Sequence, residues 1–185
     1  MLDNAERPGI DETFISACNT SDMRVEAEKR NTADVIIAAG MSAGRLGVAL
    51  MRLQSEFDAA GRKSGNLTET EFRLLMGRLK SLSAVLEAVG HQAALWQMDR
   101  PAALAQAVVA FWLDKNCPAC HGRKFQSAPG SPALTAKACP KCKATGQAAL
   151  PGGEAGKRLE RLMDESVERA RASIKKRLHS FTERG

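Results

Sequence analysis

The chain has 185 residues, 44% hydrophobic and 26% charged, which suits one folded core, or one core with a small module. No apolar run approaches a membrane span, and the opening MLDNAERPGIDETF is acidic and polar, unlike a secretory signal. The expectation is therefore a cytoplasmic protein with no membrane partner. The net charge of +6 divides unevenly, with −3 over 1–30, +1 over 31–115, +5 over 116–152 and +3 over 153–185. Positive charge gathered in one half suits a phosphate backbone or an acidic protein surface. A solvated basic face is the plain alternative.

Residues 1–30 mix Asp, Glu, Asn, Thr and Ser with weak periodicity, and read as a flexible acidic arm with a short helix near 22–30. Cys18 lies in it, outside the paired cysteines, and reads as a bystander thiol. Residues 31–115 read as a helical core. Asn31-Thr32 can cap a helix to about Ala60, with Val35, Ile36, Leu46, Val48, Leu50, Leu53 and Phe57 among its apolar positions. GMSAGRLG interrupts it. No Gly-Lys-Ser/Thr follows and no strand precedes, so a phosphate loop is rejected in favour of a close helix–helix approach or a break.

GRKSGN at 61–66 is a loop. Thr68 and Glu71 then form a capping box for a second helix. Its stripe runs Phe72, Leu75, Met76, Leu79, Leu82, Leu86, Val89, and Gly90 ends it. Asp99-Arg100-Pro101 starts a third helix, apolar almost all round, with Leu104, Val108, Phe111 and Trp112 expected at the centre of the core. Residues 116–152 carry the cysteines, and LPGGEAG is a hinge into a C-terminal amphipathic basic helix within 153–185. There Leu159, Met163, Val167, Ala170, Ile174, Leu178 and Phe181 make one stripe, read as packing within the chain ahead of a coiled coil. Strand signals are nearly absent, and the cysteine module is the one place for a small β-ribbon. The fold class is thus mainly α, a helical bundle interrupted by a four-cysteine knuckle and followed by a long helix.

Cys117 and Cys120 form one Cys-x-x-Cys pair, and Cys139 and Cys142 form another after 18 intervening residues. That spacing is a strong zinc signature. Two residues between thiolates let the backbone turn and aim both sulfurs at one ion, and two such knuckles complete a tetrahedron. The prediction is one Zn²⁺ held by Cys117, Cys120, Cys139 and Cys142. Four thiolates leave no position for water or substrate, so the site reads as structural. They also give the site a formal charge of about −2, which nearby Lys and Arg offset. His121, adjacent to Cys120, has poor geometry for a ligand. An iron–sulfur site or a redox dithiol is the alternative, but no βαβ pattern accompanies the pairs.

A helical region, then FWLDKNCPACHGRKF, a basic loop, CPKCKATGQ and a long helix resembles the Q antitermination proteins of lambdoid phages, over about residues 65–180. The beginning Cys-x-x-Cys-x-Gly is also similar to the finger of DnaJ-type chaperones. That finger has four repeats and two zincs, and here Lys143-Ala144-Thr145 precede Gly146. The Q resemblance implies a late-gene transcription regulator in the bacterial host cell. Such a protein binds double-stranded DNA at the late promoter, joins RNA polymerase with its sigma factor at a promoter-proximal pause, and travels with it through terminators. The resemblance carries only the four cysteines across residue by residue.

For nucleic-acid contacts the chemistry of the side chains nominates Arg123, Lys124, Lys137, Lys141 and Lys143 around the metal, and Arg73, Arg78 and Lys80 on the second helix. Two other function classes stand beside the antiterminator. One is a zinc-finger adaptor or chaperone-like module that binds proteins only. The other is an enzyme, which is not expected, because His91, His121 and His179 sit in no recognisable acid–base constellation.

Overall fold

The structure, a computed structural model, describes residues 10–19, 36, 44–61, 69–127 and 133–182. It is mainly helical, with a long C-terminal helix and a four-cysteine cluster between helices. Helices α1 (Ile10–Asn19), α2 (Arg45–Gly61), α3 (Glu69–Met76), α4 (Leu82–Leu95) and α5 (Pro101–Leu113) come first. Strands β1 (Phe125–Ser127) and β2 (Leu134–Ala138) follow, then α6 (Gly153–Thr182). The chain forms two compact units, one of Met1–Ser55 with Leu162–Gly185, the other of Glu56–Arg161.

In the first unit, α1 lies where the sequence reads as an arm. Phe14 and Ala17 are buried on it, one helical turn apart, which is the stabilising burial that the polar composition of the segment conceals. The expected helix near 22–30, the Asn31-Thr32 cap and the Thr68 capping box lie outside the described residues. The α2 face buries Val48, Leu50, Met51 and Leu53, and α6 buries Met163, Val167, Ala170, Ile174 and Leu178. The predicted α6 stripe is therefore packed within the chain at these positions. In the glycine-rich run, Gly44 stands just before α2 at φ 121° and Gly47 allows a close approach. A Cβ there would stand 2.0 Å from the Ser166 carbonyl oxygen and 2.8 Å from the Ala170 Cβ, so α2 and α6 approach at a distance no side chain tolerates.

In the second unit, the single helix expected over 68–89 is two. α3 stops at Met76, a turn covers 77–81, and α4 runs through Gly90 to Leu95. Gly77 weakens the helix at the break. A tertiary bond fixes the restart: the Glu56 carboxylate accepts from the Ser81 backbone N–H at 3.0 Å and from the Ser81 hydroxyl at 2.8 Å. This carboxylate, 25 residues upstream in sequence, anchors the N-cap residue itself, although the Ser81 side chain makes no cap bond to the helix. The break resets the helical phase, so Val85, Val89 and Ala93 are buried while Leu82 and Leu86 are only half-buried.

α4 packs on α5, whose buried stripe is Ala105, Val108 and Val109. The turn between them places Gln97 and Arg100 at φ 54° and 43°, and Pro101 opens α5 as expected. Of the four α5 residues expected at the core centre, Val108 is fully buried, whereas Leu104, Phe111 and Trp112 are half-buried. Phe111 takes Lys115 Nζ 5.7 Å above its ring, and Leu104 lies against the tight backbone at Gly152. In the same unit Arg158 stacks 3.9 Å over Trp96, and Lys115 pairs with Glu160 at 2.7 Å. These contacts fix the chain just before the first cysteine and just after the module.

Candidate metal centre

Each Cys-x-x-Cys pair lies in a tight turn, and the two turns repeat the same bonds. The Cys117 carbonyl accepts from His121 N–H at 2.7 Å, and the Cys139 carbonyl from Lys143 N–H at 2.8 Å. The Cys120 carbonyl accepts from Arg123 N–H at 2.9 Å, and the Cys142 carbonyl from Thr145 N–H at 3.0 Å. The turns are also joined crosswise. Cys117 N–H donates to the Gly146 carbonyl, and Cys139 N–H to the Lys124 carbonyl, both at 2.9 Å. Asn116 and Gln147 pair as an antiparallel bridge at the neck, and Ala148 N–H donates to the Lys115 carbonyl at 2.9 Å.

These turns need left-handed backbone. His121, Gly122, Lys124, Lys143, Ala144 and Gly146 all have positive φ. For Lys and Ala such a conformation costs about 1 kcal/mol or more, and it persists where surrounding bonds over-determine it. Gly146 has a second reason: a Cβ there would stand 2.8 Å from the Gly122 carbonyl oxygen.

The result is a buried cluster of four thiol-bearing side chains, 1–8% exposed, with all four sulfurs within 4.8 Å of one another. Across the knuckles, Cys117 Sγ lies 4.0 Å from Cys139 Sγ and Cys120 Sγ 3.6 Å from Cys142 Sγ. A tetrahedral ion with metal–sulfur bonds of about 2.3 Å requires sulfur–sulfur edges of about 3.8 Å. The cluster fits such an ion, and the four cysteines are free of disulfides. All four predicted metal ligands are thus brought together, and His121 is not among the clustered ligands. Cys18 falls on α1, away in sequence from both knuckles.

The thiols are unequal. Burial pushes Cys120 up to about 11, reinforced by its sulfur neighbours against the Lys124 backbone N–H. Burial also opposes ionisation of Cys142, but the Gly146 backbone N–H, 3.3 Å from its sulfur, and the neighbouring thiols outweigh it and bring Cys142 down to about 6. Cys142 thus gives up its proton more readily than Cys120.

Between the knuckles, β1 and β2 pair antiparallel, Phe125 with Ala138 and Ser127 with Leu134, with an irregularity between. Arg123, Lys124, Lys137, Lys141 and Lys143 are all exposed on the knuckles and ribbon. Among the described residues none of the five is paired with a carboxylate. The other three nominated cations are exposed too, but not on one helix as expected. Arg73 is in the last turn of α3, while Arg78 and Lys80 lie in the turn before α4. The break at 77–81 separates them, and the sequence hides it because the apolar stripe reads continuously through it. Gln126 and Thr135, which no motif marks in the sequence, brace the ribbon: Gln126 Nε2 donates to the Ala138 carbonyl at 3.3 Å and the Thr135 hydroxyl to the Gln126 carbonyl at 3.0 Å. No helix of the described residues is long and apolar enough to cross a membrane.

Compared with protein-family models, with curated proteins and with solved structures, the chain matches none.

Proposed function

We propose that the chain is a transcription antiterminator that binds promoter DNA and a paused bacterial RNA polymerase, and travels with it past terminators. The observation that carries the reading is the four-cysteine cluster set among exposed cations that pair with no carboxylate among the described residues. In this reading the ion is zinc, because four thiolates at tetrahedral spacing suit a soft, redox-inert cation. Its role is structural, since four thiolates leave it no open position. It holds the two Cys-x-x-Cys turns as a knuckle that presents Arg123, Lys124, Lys137, Lys141 and Lys143 to phosphates. The order of motifs, FWLDKNCPACHGRKF to CPKCKATGQ and a long helix, is that of the phage Q antiterminators it resembles. The setting is then the cytoplasm of a phage-infected bacterium and the expression of late genes. Nothing in the reading requires catalysis.

One observation favours a second reading, an adaptor that binds only proteins: Phe125 and Leu134 are exposed apolar residues on the ribbon. Single-round transcription past an intrinsic terminator, on a template with the native late promoter, separates the two. Read-through that depends on this protein and disappears with Cys139→Ser is the antiterminator's result. Folded, metal-loaded protein that gives no read-through and no salt-sensitive DNA binding is the adaptor's.

A further inference from the structure

We infer that Thr145 and Arg123 are positioning residues of the metal centre, each holding the second cysteine of its knuckle in place. The inference rests on the fit of the four cysteines to an ion, and not on the antiterminator reading. Both residues stand three places after that cysteine, Arg123 after Cys120 and Thr145 after Cys142. In both turns the cysteine carbonyl takes two bonds from this one residue. The Cys120 carbonyl accepts from the Arg123 backbone N–H at 2.9 Å and from Arg123 Nε at 3.3 Å. The Cys142 carbonyl accepts from the Thr145 backbone N–H at 3.0 Å and from the Thr145 hydroxyl at 2.8 Å. Two chemically different side chains thus make the same contact at equivalent positions.

A carbonyl held twice fixes the peptide plane beside the cysteine, and with it the direction in which the sulfur leaves the backbone. Groups that orient metal ligands in this way typically contribute about 10–100-fold in metal affinity. The Thr145 hydroxyl has one proton, and the Cys142 carbonyl at 2.8 Å takes it ahead of the Gln147 carbonyl at 3.5 Å. Its oxygen in turn accepts from Gln147 N–H at 3.3 Å. Gln147 is bridged to Asn116, whose N–H donates to the carboxylate of Asp114, the C-cap of α5, at 2.9 Å. Thr145 therefore ties the second knuckle to the helix that leads into the first. Arg123 adds charge, since its guanidinium is always protonated and four thiolates around a divalent ion leave a formal charge of about −2. Its Nε–H serves the knuckle, a role the sequence does not announce beside its reading as a phosphate contact. Both residues are exposed, so substituting either removes bonds and little packing.

The test uses full-length, zinc-loaded protein and follows metal release to an excess of chromogenic chelator. Thr145→Val keeps the branched shape and loses the hydroxyl, and should release zinc about tenfold faster. Thr145→Ser restores the hydroxyl and should return the rate to that of wild type. Arg123→Lys keeps the charge and loses the Nε–H, and should also release zinc about tenfold faster. Exchange of the Gln147 amide should quicken in Thr145→Val and not in Arg123→Lys. Loaded with cobalt(II), Thr145→Val and Arg123→Lys should show shifted d–d bands, a signature of ligand orientation that a loss of stability elsewhere does not move. Far-ultraviolet dichroism, dominated by the helices, checks that each variant is folded. An unchanged release rate and cobalt spectrum in Thr145→Val or in Arg123→Lys would overturn the assignment of that residue. Release from Thr145→Ser as fast as from Thr145→Val would overturn the role of the hydroxyl. A wild-type protein that binds neither ion would remove the metal centre itself, whereas a wild-type protein that binds both beside indifferent variants would remove only the positioning roles.

Discussion

The Gly146 backbone N–H points at the Cys142 sulfur from 3.3 Å, and the same residue has no room for a methyl group beside the Gly122 carbonyl. One glycine therefore both steadies a thiolate and lets the two knuckles close on each other. Gly146→Ala should weaken metal binding by roughly tenfold or more, the equivalent of about 1–3 kcal/mol of backbone strain. A competition titration against a chromogenic chelator measures it. Wild-type affinity in this variant would show that the knuckles have slack the structure does not show.

Metal loading should depend on pH with a definite sign. Thiolates bind metal and thiols do not, so protons compete with the ion. Cys120, raised to about 11, still holds its proton at neutral pH and must release it on loading. Cys142, lowered to about 6, adds a further proton to displace only when the pH falls below that value. Apparent affinity should thus rise with pH throughout, and more steeply below about 6 than above. Calorimetry in buffers of different ionisation enthalpy counts the protons released. The same count on both sides of that pH would contradict the inequality of the two thiols.

Two glycine-to-alanine substitutions should move stability in opposite directions. At Gly90, inside α4, the new Cβ would lie 3.8 Å from the Ala105 Cβ, an ordinary contact, and the helix gains about 0.5–1 kcal/mol. At Gly47 the Cβ would overlap the Ser166 carbonyl, and overpacking of this kind costs about 1–3 kcal/mol. Urea denaturation of the two variants reads both. A stabilising Gly47→Ala would mean that α2 and α6 do not approach as described.

The Glu56–Ser81 contact predicts that Glu56→Ala destabilises the second unit by about 1–3 kcal/mol, because Ser81 loses a charge-assisted acceptor for both its backbone N–H and its hydroxyl. Glu56→Gln keeps one acceptor oxygen and should recover part of the loss. Hydrogen exchange at the start of α4 is the local readout, and protection unchanged in Glu56→Ala would show that the carboxylate does not anchor Ser81.

What the sequence revealed follows from the range of the forces involved. The cysteine spacing is local geometry, so all four ligands were legible, as was α5 from Pro101 and the buried stripe of α6 from its steps of three and four. The break at 77–81 was not, because Leu75, Met76, Leu79 and Leu82 continue the helical period across it and the deciding partner, Glu56, comes from another element. Gly90 misled as a stop signal, since packing between α4 and α5 outweighs its poor helix propensity. The helix at Ile10–Asn19 was hidden among acidic residues, although Ile10, Phe14 and Ala17 are spaced by four and three. Left-handed backbone at His121, Lys124, Lys143 and Ala144 has no signature in those residue types, and is imposed by the crosswise bonds of the knuckles.

The most direct measurement is a cobalt(II) titration of the reduced, metal-free protein, followed by displacement with zinc. One equivalent should bind, with the absorption of tetrahedral cobalt and strong thiolate charge-transfer bands. Zinc should displace it, the two Cys-x-x-Cys turns should gain order, and binding should be lost in Cys139→Ser but not in Cys18→Ser. Octahedral cobalt, weak charge-transfer bands, or a Cys139→Ser protein that binds and melts as wild type would contradict a closed four-thiolate centre, and with it the scaffold on which the proposed function stands.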